Sequence, residues 1–165
     1  SRGLIGYSTE FLTLTRGYGI LNHTFDSYKP MAHGKVGGRR NGVLVSMENG
    51  TVTPYAIMLL EDRGTMFVDA GTDIYAGMIV GENTRESDLT INLTRVKQAT
   101  NVRSATKDQT VSTKKPRIMS LEEALQYLDD DEYCEVTPAS IRLRKKILDK
   151  NERERIQKKK KSADS

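Results

Sequence analysis

Residues 42–62 read GVLVSMENGTVTPYAIMLLED, two apolar runs on either side of Asn49-Gly50. An Asn-Gly pair between two such runs is the strongest short-range hairpin signal, because a type I′ turn needs positive φ at both central residues. The stretch therefore predicts a hairpin of GVLVSM against TVTPYAIMLLED. Pro54, having no N–H for a ladder, is expected near an edge or a strand start. Downstream, Arg63-Gly64, TMFV, GMIVGE and the alternating DLTINL of residues 88–93 repeat the pattern of short apolar run and punctuation. Together these predict an antiparallel sheet or small barrel.

Toward the N-terminus, Leu4, Tyr7, Phe11 and Leu14 recur at helical spacing, and Gly17 stands where a left-handed cap is wanted. The segment YGILNHTFDSY then alternates Leu21, His23 and Phe25 with polar residues, which predicts one strand up to Pro30. A helix and a strand leave an apolar face uncovered. These residues therefore read as the end of something cut, or as an arm packed on the rest.

Toward the C-terminus, Ser120-Leu121-Glu122-Glu123 is a capping box that starts a helix to about Leu128, with Leu121, Ala124, Leu125 and Leu128 as its apolar face. The acidic run Asp129 to Glu132 reads as a solvated helix end. CEVTPASIRLRKKIL predicts an extended pair broken at Thr137-Pro138, with Ile141 and Leu143 inward and Arg142 and Arg144 outward. The terminal DKNERERIQKKKKSADS has only Ile156 to bury and reads as a basic tail or frayed helix.

Chemistry-bearing residues are sparse. His23, His33 and Cys134 have no ligand-like spacing, no nucleophile stands with a base, and no GxxxxGK[ST] phosphate loop occurs. No apolar run approaches the roughly 18 residues of a membrane helix, and a single cysteine suits a reducing compartment. The expectation is a soluble, cytoplasmic chain that is not an enzyme.

Charge is more informative. The net +4 hides segregation: lysines and arginines stand 8 against 10 acidic residues over residues 1–94, 7 against 1 over 95–117, 0 against 7 over 118–141, and 11 against 4 over 142–165. Two basic blocks flank an acidic one, which points to polyanionic partners or to neutralisation within the chain. The first basic block contains QATNVRSATKDQTVSTKKP, residues 98–116, longer than the about 12 to 15 residues of an ordinary loop. There Lys97, Arg103, Lys107, Lys114 and Lys115 mix with hydroxyl and amide side chains such as Asn101 and Ser104, a set suited to phosphate and sugar oxygens. It holds no aromatic ring for base stacking. A surface loop disordered on its own is the other reading. Arg39 and Arg40, in the glycine-rich turn GGRRNG, are further candidates for phosphate contact.

Several phrases carry a resemblance: SRGLIGYSTEFLTLTRGYG, GGRRNGVLVS, EDRGTMFV, YAGMIVGENTRESDLTIN, TNVRSATKD and DDDEYCEVTPASIRLRKK. Together they resemble the C-terminal part of the TypA/BipA family, ribosome-associated translational GTPases of bacteria. The likeness covers essentially the whole chain. It implies a mixed α+β fold, mainly antiparallel. Residues 1–32 would close a split βαββαβ, ferredoxin-like domain similar to domain V of elongation factor G. Residues 33–148 would form the family's own C-terminal domain with a long basic loop, 95–117, and 149–165 the tail.

By the same resemblance, GTP and magnesium belong to a nucleotide-binding domain upstream, and this part holds no cofactor. Its implied partners are large-subunit rRNA and the acceptor end of an A-site tRNA, reached by the long loop. Lys97, Asn101, Arg103, Ser104 and Lys107 match the family's loop and are the implied RNA contacts; Lys114 and Lys115 stand where the family often has apolar residues. Roles in ribosome assembly and stress-adapted translation are implied too. The rival reading is a protein-interaction module, in which the acidic helix and basic tail meet a protein rather than RNA.

Overall fold

In the computed structural model of the chain, residues 4, 7–30, 39–96 and 114–163 are described. The chain divides into two compact units, residues 1–39 and 40–165.

In the first unit, α1 spans Tyr7–Leu14. It ends as its sequence requires: Gly17 takes φ +81° and its N–H donates to the Leu12 carbonyl at 2.7 Å, satisfying a carbonyl the helix leaves open. The expected strand through Leu21 and Phe25 does not form. Residues 18–30 carry no ladder, and Phe25 and Tyr28 are exposed, touching only edge to face at 5.1 Å. Alternation makes a strand only where a second strand accepts its hydrogen bonds, and none of the described residues of this unit does so.

The second unit is built on one sheet. Its strands are β1 (Val43–Ser46), β3 (Gly64–Met66), β5 (Met78–Asn83), β6 (Leu89–Ile91), β7 (Glu132–Val136) and β8 (Ile141–Lys145); a separate small pair joins β2 (Gly50–Thr51) to β4 (Asp73–Ile74). The order is β6-β1-β5-β8-β7, with β3 also on β5. Strand β5 is central: β1 runs along one edge, while β8 takes Met78 and Ile79, and β3 takes Gly81 to Asn83, on the other. Among the described residues all pairings are antiparallel except β1 with β6, where Leu44, Val45 and Ser46 face Leu89, Thr90 and Ile91. Mixed α+β with a mainly antiparallel sheet is thus the observed class.

The parallel pair needs the chain after β5 to cross the start of β1. Gly42 makes this possible: its N–H donates to Arg85 and its carbonyl accepts from Asn83, and a Cβ there would lie 2.3 Å from the Ser87 backbone. Asp88 completes the crossing by accepting the Val43 N–H at 2.9 Å.

The sheet is buried on both faces, which explains why β1 is a continuous apolar run rather than an alternating one. Leu44, Met78, Val80 and Ile91 lie on one side with Val52, Ala56 and Ile57; Val43, Val45, Ile79 and Leu143 lie on the other with Ala124. Helix α2 (Pro54–Leu60) covers the first face and α3 (Leu121–Tyr127) the second. Phe67 meets Tyr127 edge on at 5.5 Å beneath α3.

The opening stretch is where structure and expectation part. Asn49-Gly50 is not a hairpin turn between neighbours, for β1 pairs with β5 and β6 while Gly50 and Thr51 pair with Ile74 and Asp73. Among the described residues only Arg16 is a non-glycine with positive φ, so Asn49 lacks the conformation a type I′ turn requires. Its side chain instead accepts the Ala76 N–H at 2.8 Å. Pro54 starts a helix, not a strand. Thr53 is the N-cap, accepting from the Ala56 N–H, and Pro54 sits in the first turn, where its missing N–H is no loss.

Three further expectations are refined. The Ser120 and Glu123 capping box is complete, but the buried face of α3 is Ala124 with half-buried Tyr127 and Leu128, while Leu121 and Leu125 are exposed. The β7–β8 pair forms with Leu143 buried, yet Ile141 is exposed at the strand start. Residues Lys150–Ala163 form one helix, α4, half burying Ile156.

Candidate nucleic-acid interface

The described residues on either side of the basic segment, 93–96 after β6 and 114–117 before α3, are both tied to α2. Leu93 is buried, and its carbonyl accepts the Thr53 N–H at 3.0 Å. The Thr53 hydroxyl, besides capping α2, donates to the Arg95 carbonyl. One threonine thus joins the start of a helix to the outgoing foot of the loop. On the return, the Lys114 N–H lies 3.5 Å from a carboxylate oxygen of Glu61, the C-cap of α2. The Arg117 N–H then donates to Met66 at 2.8 Å, and its guanidinium lies 3.5 Å from Glu82.

The sequence candidates divide accordingly. Lys97, Asn101, Arg103, Ser104 and Lys107 lie outside the described residues. Lys114 and Lys115 are exposed and line a cavity of 420 Å³ with Asn41, Glu61, Asp62 and Glu82. Carboxylates surround these lysines, so part of their charge is offset before any phosphate arrives. Arg40 is exposed at the start of the second unit, next to Asn41 in that cavity, whereas Arg39 is half-buried in the first unit.

The acidic run is not simply solvated. Lys145, 2% exposed, is enclosed by Asp88 at 2.6 Å, Glu132 at 2.9 Å and Asp131 at 3.0 Å. Burial pulls the Lys145 ammonium toward neutrality, but the hydrogen bonds and charges of Asp88 and Glu132 outweigh it and raise its pKa. Glu132, itself buried, also accepts the Asp129 N–H at 3.1 Å. Part of the acidic block is therefore neutralised within the chain. Nothing in RLRKK distinguishes Lys145 from its neighbours except strand parity with Leu143, the one signal that could have found it.

Among the described residues no group of three His, Cys, Asp or Glu side chains is placed to hold a metal, and no helix is long and apolar enough to cross a membrane. Cys134 is half-buried, and desolvation, aided by Glu135, raises its thiol pKa, so it is a poor nucleophile at neutral pH.

Residues 41–150 match the TypA/BipA C-terminal domain, and residues 1–37 match the elongation factor G C-terminus. The large ribosomal subunit assembly factor BipA of Bacillus subtilis is 72% identical over 163 residues, covering 99% of this chain and 27% of that protein. The proteins of the same description from Synechocystis and Salmonella typhimurium are 49% and 46% identical, covering 88% and 94% of this chain and 24% and 26% of their own lengths. The chain thus spans about a quarter of the length of these relatives. With this domain matched over most of its length, the chain belongs to the TypA/BipA family.

Proposed function

We propose that this chain is the ribosome-contacting part of a translational GTPase and that residues 95–117 meet RNA of the large subunit and the acceptor end of an A-site tRNA. The observation that carries the reading is that both ends of a segment rich in lysine, arginine, hydroxyl and amide groups are tied to α2, one at Thr53 and the other at Glu61. The relatives are described as large ribosomal subunit assembly factors, which supports the choice of partner.

Lys97, Asn101, Arg103, Ser104 and Lys107 carry most of the contact in this reading. Lys114, Lys115, Arg39 and Arg40 add attraction, weakened at Lys114 and Lys115 by the carboxylates beside them. Residues 1–32 are the end of a domain similar to domain V of elongation factor G, residues 33–148 the docking domain, and 149–165 a basic extension. No GxxxxGK[ST] phosphate loop occurs in this chain, so it is not read as a nucleotide hydrolase of that class. GTP hydrolysis belongs in this reading to another part of the whole protein, which acts in the cytoplasm in ribosome assembly and stress-adapted translation.

Cosedimentation with purified large subunits across a salt series tests it. Binding should weaken steeply with salt, and both deletion of residues 98–113 and charge reversal at Arg103 and Lys107 should abolish most of it. Binding indifferent to salt and to these changes would refute it. The competing reading is a protein-interaction role, favoured by an apolar cavity of 540 Å³ lined by Phe67, Ile118, Met119, Val136 and Ile141. In that case changes at Ile118 and Val136, rather than in the loop, would release the partner.

A further inference from the structure

Strand β8 has two unlike faces. Leu143 and Lys145 point into the unit and are buried, so Arg142 and Arg144 lie on the opposite face, and the next residue of the same parity, Lys146, is exposed. The register of the β7–β8 pair sets Tyr133 opposite Arg144 and Glu135 opposite Arg142. Directly opposed residues share a face, so Tyr133, Glu135, Arg142 and Arg144 form one surface. Counting Lys146 and Asp131 opposite it, the surface carries three cations and two carboxylates, one of which, Asp131, is turned to Lys145.

Tyr133 is 48% exposed at the sheet edge. The Arg144 guanidinium lies 5.1 Å from its ring centre and the Lys146 ammonium 5.0 Å, within range of cation–π attraction. Arg144 is held rather than free. Its Nε–H donates to Glu135 at 2.6 Å, one Nη1–H donates to the Lys145 carbonyl at 3.2 Å, and the other oxygen of Glu135 accepts the Tyr75 hydroxyl at 2.6 Å. Among the described residues two of the five guanidinium donors are thus used. Burial, then the bond to Glu135, raises the Tyr75 pKa, so this hydroxyl stays a donor. Arg142 is exposed with no ion pair among the described residues.

A solvated basic strand needs no such support. Tyr133, half exposed beneath a guanidinium fixed from behind, supplies what the loop of residues 98–116 lacks, an aromatic ring against which a base can stack in place of the exposed Lys146 side chain. We propose that the β7–β8 hairpin is a second RNA-contact surface, with Tyr133 as the platform for an unpaired base and Arg142, Arg144 and Lys146 as ligands for the flanking phosphates. This rests on ribosomal RNA being the partner. An acidic protein segment would use the cations and leave the ring idle, which makes Tyr133 the discriminating residue.

The test titrates the full chain with purified large-subunit rRNA over a salt series. Tyr133→Ala should weaken binding about five- to a hundredfold at every salt concentration without altering the salt slope, while Tyr133→Phe binds as wild type. Tyr133→Leu, which keeps apolar bulk without the aromatic face, should resemble Tyr133→Ala and guards against a loss due to unfolding. The double change Arg142→Gln and Lys146→Gln should reduce the slope of log affinity against log salt by about 1.4, the release from two single-strand phosphates. Thermal melts should match wild type. If the hairpin variants bind as wild type while Arg103→Glu with Lys107→Glu still loses affinity, the second surface is refuted and the loop reading stands. A wild-type chain that does not bind the rRNA refutes both. An effect of the glutamines without one at Tyr133 refutes the stacking platform.

Discussion

Replacing Lys145 by alanine should be among the most destabilising single changes in the second unit. The ammonium is 2% exposed and lies within 3.0 Å of Asp88, Glu132 and Asp131. Removing it takes from the fully buried Glu132 side chain the ammonium 2.9 Å away. Taking one partner from a buried pair typically costs about 3–5 kcal/mol, mostly because the remaining charge is stranded. Asp131 is half exposed and adds little, since water screens it. Asp88 adds more, because it also holds the Val43 N–H and hence the crossing that places β6. At the lower bound of about 3 kcal/mol the melting temperature should fall by about 10 °C.

The pairing is tested by urea and thermal unfolding of Lys145→Ala, Glu132→Gln and the double variant, with Lys146→Ala as an exposed control. The double variant should be less destabilised than the sum of the singles. Because the folded Lys145 pKa is raised, its contribution is fully present below the ordinary lysine pKa of about 10.4 and is lost only as pH climbs through the raised value. The gap between wild type and Lys145→Ala, on the lysine's own titration, should therefore hold from neutrality to about pH 10 and close above it. A loss under about 1 kcal/mol, no larger than that of Lys146→Ala, would refute the reasoning.

Three other outcomes follow from local geometry. Gly42→Ala puts a methyl 2.3 Å from the Ser87 backbone, so unfolding measurements should show a loss of at least about 1–3 kcal/mol. Ser120→Ala removes the acceptor of the Glu123 N–H and should cost about 1 kcal/mol by the same assay, with a lesser loss for Ser120→Gly. Iodoacetamide should alkylate Cys134 more slowly than a free thiol at pH 8, and faster as pH rises, because burial and Glu135 keep it protonated; a rate at or above that of free cysteine would contradict this.

The elements legible in the sequence share one property: their hydrogen bonds close within one turn, one cap or one hairpin. The Ser120 capping box, the Gly17 cap and the β7–β8 pair across Thr137-Pro138 are all of this kind, and all are present. TPYAIMLL, expected as part of a strand, is a helix instead, because a short apolar run has no decisive period. The Thr-Pro start, an N-cap followed by a residue suited to the first helical position, was the available signal for α2. Of the candidate site, the composition and charge of residues 97–115 were plain from the sequence, whereas its anchoring by Thr53 and Glu61 was not. Each of those contacts joins positions more than forty residues apart.

By itself the sequence determined the caps at Ser120 and Gly17, the β-rich class, the segregation of charge and the family. Only the tertiary structure decided that Asn49-Gly50 joins no neighbours, that β6 lies parallel to β1, and that Lys145 is buried while Arg144 is half-buried beside Tyr133. The reason is physical. Which strand pairs with which depends on what covers each face of the sheet. A charge enters the interior only where carboxylates from distant segments converge to balance its desolvation.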